Sequence, residues 1–422
     1  MIDNEKKVEK FITVIAIKKQ DNEKEAWESL DELKDLIKTA GGEVIMGIVQ
    51  KVEKIHAGYY IGSGKIEEIK ELIKIHDAAG VVFDDELSPI QLRNLTDEFQ
   101  VKVMDRTKVI LDIFASRASS KEGKLQVEMA QLKYNSTRLI GFGAMLSRQG
   151  GGSSGGGENN KGAGETKLEL DKRKIRARID ILENELKEIE RHRKLIRDRR
   201  EKDATPIVAL VGYTNAGKST LLNQLSGSDI CAKDELFATL DPTTRKVELP
   251  GGKEILLTDT VGFIRKLPHH LVKAFHSTLE EAKYADVILH VMDASSDQLA
   301  THQKVVYETL NKLKIEGIPI IAVYNKLDKV EEDYPRDEVA EYEAHISAKD
   351  GKGCEELLET IEQILYTNMQ SFTIEIPYSE AAALKFCHDY GEKLQEEYTN
   401  NGIKLSGYIP NDKYYKITQW LV

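Results

Sequence analysis

Gly212-Tyr213-Thr214-Asn215-Ala216-Gly217-Lys218-Ser219 follows the uninterrupted apolar run Ile207 to Val211 and precedes a helical pattern that opens at Thr220-Leu221-Leu222. The eight residues fit G-x-x-x-x-G-K-[ST], and a strand before with a helix after is the setting in which that spacing works. Glycines let the chain curl so that successive backbone N–H groups face the α- and β-phosphates of a nucleotide. The helix lends its positive end, and Lys218 neutralises the β/γ oxygens. The Ser219 hydroxyl suits Mg²⁺. From Pro206 to about Leu365 apolar strands alternate with helical patterns, at Ile207 to Val211, Lys246 to Leu249, Glu254 to Thr258, Val287 to Met292, Pro319 to Tyr324 and His345 to Ile346. That alternation predicts a mostly parallel sheet covered by helices.

Three further motifs follow in order, each at a strand end. Asp259-Thr260-Val261-Gly262 offers a carboxylate for the metal's water shell and a glycine N–H for the γ-phosphate. In Asn325-Lys326-Leu327-Asp328, Asp328 can accept hydrogen bonds from the N1–H and amino group of guanine, a donor pair adenine lacks. Ser347-Ala348-Lys349 can give a backbone N–H, from Ala348, to the guanine O6. Together the motifs predict GTP as the nucleotide. Between the first two lies Leu236-Phe237-Ala238-Thr239-Leu240-Asp241-Pro242-Thr243-Thr244-Arg245, where a GTPase carries its first switch. A switch threonine reaches Mg²⁺ when the γ-phosphate is present and lets go when it leaves. Spacing does not choose among Thr239, Thr243 and Thr244. Phe263 stands where Ras-type enzymes carry the glutamine that orients the attacking water, so unaided hydrolysis should be slow. Asn215 suits either a potassium site or a loop-shaping hydrogen bond.

Outward from this core, residues 1–106 read as a small α/β domain. Its strands fall at Phe11 to Ile17, Glu43 to Val52, Val81 to Asp84 and Val101 to Met104, with helices at Glu23 to Thr39, Ile66 to His76 and Pro89 to Phe99. Residues 107–203 read as a helical hairpin. Ile175, Ile179, Leu182, Leu186 and Ile189 form a heptad-like stripe on its second arm. Between the arms, Gly141 to Gly164 holds ten glycines in 24 residues and predicts an irregular loop. Residues 204–368 make the nucleotide-binding domain, and 369–422 a small α+β unit with a strand from Phe372, a helix at Ser379 to Tyr398 and strands at Lys404 to Tyr408 and Tyr414 to Trp420.

The 422 residues carry 60 Lys and Arg against 71 Asp and Glu, a net charge of −11 that opposes a polyanionic partner if it is evenly spread. It is not. Residues 102–203 hold 24 basic against 16 acidic side chains, +8, while the remainder holds 36 against 55, −19. The basic excess is densest at Arg191, Arg193, Lys194, Arg197, Arg199 and Arg200, a candidate nucleic-acid arm or a solvated helical face. Cys231, Cys354 and Cys387 fit neither a metal pair nor a disulfide framework, and no apolar run approaches membrane-spanning length, so a cytoplasmic monomer with free thiols is expected. Gly62-Ser63-Gly64-Lys65 lacks the spacer and the Ser/Thr of a phosphate loop, which favours a helix-start turn. His269-His270 has no further ligand at metal spacing.

These residues resemble the HflX family of ribosome-associated translational GTPases over nearly the whole chain. Beyond the widely shared GTPase motifs, the resemblance rests on Glu86-Leu87-Ser88-Pro89, Asp105-Arg106-Thr107, Leu111-Asp112-Ile113-Phe114, Gly123-Lys124-Leu125-Gln126-Val127-Glu128, Ala130-Gln131-Leu132 and Gly164-Glu165-Thr166-Lys167-Leu168-Glu169. It implies an α/β multidomain chain: an N-terminal nucleotide-binding-like domain, the hairpin, a Ras-like P-loop GTPase domain and a small C-terminal domain. It also implies that Thr239, within Phe-Ala-Thr-Leu-Asp, is the switch threonine. Lys218, Thr239 and Gly262 then act in catalysis, Ser219, Thr239 and Asp259 on the metal, and Gly212 to Thr220, Phe237 to Asp241, Asp259 to Gly262, Asn325, Lys326, Asp328 and Ser347 to Lys349 around the nucleotide. Binding to the large ribosomal subunit, splitting of stalled ribosomes, and adenine-nucleotide interaction of the N-terminal domain are further implications. Rival readings are a ribosome-assembly or RNA-chaperone GTPase, and a GTP-gated protein-interaction module. The family's usual Arg-Gly-Pro-Gly-Glu run is here Lys161-Gly162-Ala163-Gly164-Glu165, without the arginine and the proline.

Overall fold

The computed structural model describes residues 8–149, 161–200, 205–227, 236–267, 280–330, 334–367 and 369–421. Cys231, His269, His270 and the glycine-densest stretch, 150–160, lie outside the described residues. The chain divides into two compact units: Met1–His192 with Lys233–Asp241 and Ile264–Ser277, and Arg193–Ala232 with Pro242–Phe263 and Thr278–Val422.

In the first unit a four-stranded sheet runs in the order β2-β1-β3-β4, with β1 at Lys10–Lys18, β2 at Glu43–Val52, β3 at Gly80–Phe83 and β4 at Lys102–Asp105. All its pairings are parallel. Phe11 to Ile17 are buried, as a parallel strand covered on both faces requires. Helix α1 (Glu23–Thr39) is capped by Asn22, and α2 (Ser63–His76) starts after Gly62. Helix α3 (Pro89–Phe99) has a capping box between Ser88 and Gln91 with proline at its start. These bounds follow the sequence expectation closely, because caps and periodicity agree there.

Helix α4 (Arg106–Arg117) is capped by Asp105, and α5 (Lys121–Gln149) and α6 (Lys161–Arg200) follow. The irregular loop expected over Gly141 to Gly164 is therefore narrower at both ends. Gly141 and Gly143 fall in α5 and Gly162 and Gly164 in α6, and propagation along an established helix tolerates them at about 1 kcal/mol each. Ion pairs join α5 to α6: Arg178 to Glu128 at 2.7 and 2.9 Å, and Lys133 to Glu183 at 2.9 Å. Leu182, in the middle of the heptad-like stripe, is fully buried.

In the second unit a six-stranded sheet has the order β10-β9-β8-β5-β7-β6. Its strands are β5 (Ile207–Gly212), β6 (Thr243–Glu248), β7 (Glu254–Asp259), β8 (Val287–Asp293), β9 (Ile320–Asn325) and β10 (Tyr342–His345). Only the β6 to β7 pairing in it is antiparallel. Helices α7 (Lys218–Ser226), α8 (Leu299–Lys312) and α9 (Cys354–Thr367) belong to the same unit. Val208, Leu210, Leu257, Leu289, Val291 and Val323 form its apolar core with Leu221, Leu357 and Ile361 from α7 and α9.

The C-terminal part holds β11 (Met369–Pro377), α10 (Ala381–Tyr390), β12 (Glu392–Tyr398), β13 (Gly402–Pro410) and a short helix α11 (Asn411–Tyr414). Its antiparallel sheet is ordered β11-β13-β12. Two expectations are corrected here. The helix foreseen to Tyr398 ends at Tyr390, and the strand foreseen at Tyr414 to Trp420 is instead a turn and a 3-10 segment, Thr418–Trp420. Pairing of Glu392–Tyr398 along β13 overrides the helical propensity of that charged run. Local hydrogen bonds from Lys416, Ile417 and Trp420 to carbonyls three residues earlier wind the tail while Ile417 is buried. Cys354 and Cys387 are buried free thiols.

Candidate functional site

The predicted phosphate loop connects β5 to α7 at the carboxyl end of the parallel sheet, where open α/β sheets place their ligands. Gly212 and Gly217 adopt φ of +156° and +95°. A side chain on Gly217 would strike the Asn325 amide. Lys218 is buried, its ammonium donating to the carbonyls of Tyr213 at 2.8 Å and Gly212 at 3.1 Å. Burial lowers its pKa to about 8, with Asp259 opposing that shift. Ser219 Oγ donates to Asp259 Oδ2 at 2.7 Å, and Asp259 ends β7 almost fully buried. A hydroxyl beside a carboxylate is the hard-oxygen donor set that suits Mg²⁺. Asn215 is exposed at φ +61°, and Tyr213 stacks on His302 of α8 with ring centroids 3.8 Å apart.

The Asp-x-x-Gly segment is tied to this loop through its backbone. Phe263 N–H donates to Gly212 O at 3.0 Å, and Thr214 N–H donates to Phe263 O at 2.8 Å. Gly262 lies so close that a Cβ would stand 2.9 Å from Thr214 Cα and 3.0 Å from Lys218 Nζ. Phe263 itself is buried, an apolar side chain locked into the loop's pairing. Thr260 donates to Leu210 O at 2.7 Å, and Val261 is buried beside it.

At the base-recognition end, Asn325 donates to Ala216 O and accepts the Ala348 N–H, each at 2.9 Å, so it joins the phosphate loop to the Ser347-Ala348-Lys349 turn. The Ala348 N–H expected to serve the guanine O6 is thus engaged by Asn325. Ser347 Oγ donates to Asp328 Oδ1 at 2.9 Å, which holds the exposed Asp328 carboxyl below its usual range. Lys326, at φ +67°, reaches Asp293 at 2.7 Å.

Of the three candidate switch threonines, Thr243 and Thr244 lie within β6, where the Thr244 hydroxyl meets that of Thr258 at 3.0 Å. Thr239 stands outside any strand, in Lys233–Asp241, which belongs to the first unit. There Leu236, Phe237 and Leu240 are buried, Ala238 is half-buried, and Phe237 meets Phe114 edge to face at 4.6 Å. Asp241 accepts hydrogen bonds from Ser119 and Ser120. Residues after Phe263 also pack in the first unit: Arg265 meets Glu28 at 3.2 Å, and Lys266 meets Asp84 at 2.6 Å and Asp85 at 2.5 Å. Burial opposes the Lys266 charge, but the two carboxylates outweigh it and raise its pKa. No local spacing announced these partners. Gly62 stands at the cap position of α2 and Ser63-Gly64-Lys65 form its first turn, with Lys65 held by Glu68 at 2.6 Å.

The chain matches three family models in succession: GTP-binding GTPase N-terminal over residues 27–115, GTP-binding GTPase middle region over 117–200, and 50S ribosome-binding GTPase over 207–326. A GTP-binding protein from Sulfolobus solfataricus, solved with GDP, is 26% identical over 84% of this chain and 99% of its own, with a TM-score of 0.43. GTPase HflX of Caldanaerobacter subterraneus subsp. tengcongensis is 48% identical over 95% of this chain and 91% of its own length. GTPase HflX of Lacrimispora saccharolytica is 51% identical over 97% and 96%. With a mixed α/β fold, a complete set of guanine-nucleotide motifs and relatives matched along almost their whole length, the chain belongs to the HflX family of GTPases.

Proposed function

We propose that this GTPase binds the large ribosomal subunit and dissociates stalled or idle ribosomes, with GTP favouring the bound form. The observation that carries the ribosomal part is the match of residues 207–326 to a family described as a 50S ribosome-binding GTPase. The basic segment 102–203 supports it by offering a surface for ribosomal RNA on an otherwise acidic chain.

In hydrolysis, Lys218 exchanges its two loop carbonyls for the β/γ-phosphate oxygens, and the Gly262 N–H serves the γ-phosphate. Asp328 reads the guanine N1–H and amino group. Ser219 and Asp259, with Thr239 if it serves as the switch threonine, would hold Mg²⁺, which would neutralise phosphate charge. Phe263 cannot orient water by hydrogen bonding. Efficient turnover therefore needs a group from a partner, and the ribosome is that partner in this reading.

Sedimentation with intact ribosomes under GTP and GDP, at two salt concentrations, tests the proposal together with turnover in the presence and absence of large subunits. Splitting of intact ribosomes and strong acceleration of turnover are expected. Subunit binding without splitting would favour the assembly-factor reading. Absence of co-sedimentation would leave a GTPase that works without the ribosome.

A further inference from the structure

The residue that caps α5, Ser120, is held by a carboxylate from far along the chain. Asp241 Oδ2 accepts the backbone N–H groups of Ser119 at 3.0 Å and Ser120 at 2.8 Å and the Ser119 hydroxyl at 2.6 Å. Its Oδ1 accepts the Ser120 hydroxyl. Ser120 Oγ in turn accepts the Gly123 N–H at 2.9 Å, and Ser120 O accepts the Lys124 N–H at 3.1 Å. Asp241 thus sits at the positive end of a 29-residue helix, where an anion is favoured. The approach is so close that a Cβ on Gly123 would stand 2.5 Å from Asp241 Oδ1, which explains a glycine in the first turn of a long helix.

We propose that Asp241 is a positioning residue that couples the first switch to α5, so that movement of Leu236 to Asp241 with nucleotide state caps or uncaps the helix carrying the near end of the basic segment. This rests on reading Leu236 to Asp241 as the switch. Thr239 and Asp241 are two residues apart, so their Cα atoms are at most about 7 Å from each other. A displacement of Thr239 by several ångströms toward or away from a metal cannot be absorbed in that span while every contact at Asp241 persists. The Phe237 to Phe114 contact lies on the other side of Thr239, so the segment is held at one end by α4 and at the other by the Ser119-Ser120 turn that opens α5.

Hydrogen exchange of the full-length protein, with GDP and with a non-hydrolysable GTP analogue, tests the coupling without ribosomes. In the wild type the amides of Gly123 to Val127 should differ between the two states by roughly tenfold, the scale of losing a helix cap. Asp241→Asn should abolish that difference. Gly123→Ala should abolish it too, although alanine is the better helix former, because it displaces the carboxylate without removing any hydrogen-bonding group. A merely structural cap would lower protection in Asp241→Asn equally in both states and leave the difference standing, which would overturn the proposal. So would a wild type in which residues 236–241 respond to nucleotide and residues 123–127 do not. If residues 236–241 fail to respond at all, the switch reading falls and the coupling with it.

Discussion

Lys218 carries two opposed pH dependences. Burial holds its pKa at about 8, below the value of about 10.4 for an unfolded lysine. Folding of the nucleotide-free protein therefore gains stability as pH rises from 8 towards 10.4, where only the unfolded chain keeps the proton. Phosphate binding runs the other way, since it needs the ammonium. If only the protonated form binds well, GDP affinity should fall about fourfold between pH 7 and 8.5, with proton uptake on binding at the higher pH. Calorimetric titration with GDP at the two values measures both quantities, and a flat affinity with no proton uptake would contradict the assignment. That Lys218, Ser219, Asp259 and Asn325 stand together at the strand ends was legible in the sequence, because the motif spacings fix where each falls after its strand. Ser119, Ser120, Lys266 and Asp84 were not. Their roles come from partners more than a hundred positions away, and nothing in the local spacing of serine or lysine encodes that.

Elements were legible where local and tertiary preferences coincide, as in α1 and α3, whose caps and apolar faces agree. They were misread where pairing prevails, as in β12, where Gly391 breaks α10 and the helix-prone Glu392–Tyr398 joins β13. Asp105-Arg106-Thr107 shows how one short motif anchors several elements. Asp105 ends β4 and caps α4 through the Lys108 N–H at 2.9 Å, accepts Tyr134 OH at 2.8 Å and pairs with Arg138 of α5 at 2.6 Å. Arg106 spans from α4 to Asp84 beyond β3 at 2.6 Å. Both partners of the Asp105 to Arg138 pair are buried, so removing the guanidinium leaves a buried carboxylate without its counter-charge, held by the Leu87 and Lys108 N–H groups and Tyr134 OH alone. Arg138→Met should destabilise the first unit by about 3 kcal/mol. Urea unfolding of the full chain would register this as a lowered midpoint for the transition that includes α5, whereas a loss below about 0.5 kcal/mol would mean that Leu87 N–H, Lys108 N–H and Tyr134 suffice for the carboxylate.

At the scale of the whole chain, a sequence boundary near residue 204 does not partition the contacts. Lys233–Asp241 and Ile264–Ser277, the two segments flanking the nucleotide motifs, cluster with the N-terminal unit. The distribution of charge was legible from the sequence, and it limits where a polyanion can bind. The remainder of the chain, at a net −19, repels phosphate, whereas 102–203 at a net +8 attracts it. Arg191 and Arg193 stand on α6 with Arg191 exposed and paired only loosely, through an open contact to Glu188 at 2.6 Å that water and salt weaken. Reversing Arg193, Lys194 and Arg197 together to glutamate should abolish binding to large ribosomal subunits at physiological salt. A milder Arg193→Gln, Lys194→Gln, Arg197→Gln variant should keep measurable binding and lower the slope of log affinity against log salt by about 2 to 3, close to one per phosphate contact removed. The same neutralisation at Lys246, Lys253 and Lys312, which lie outside the basic segment, should leave affinity and slope unchanged. An arm variant that retains both the wild-type affinity and the wild-type slope would mean that the basic segment is only a solvated helical face, and the contact with ribosomal RNA would have to lie within the acidic remainder, against its mean charge.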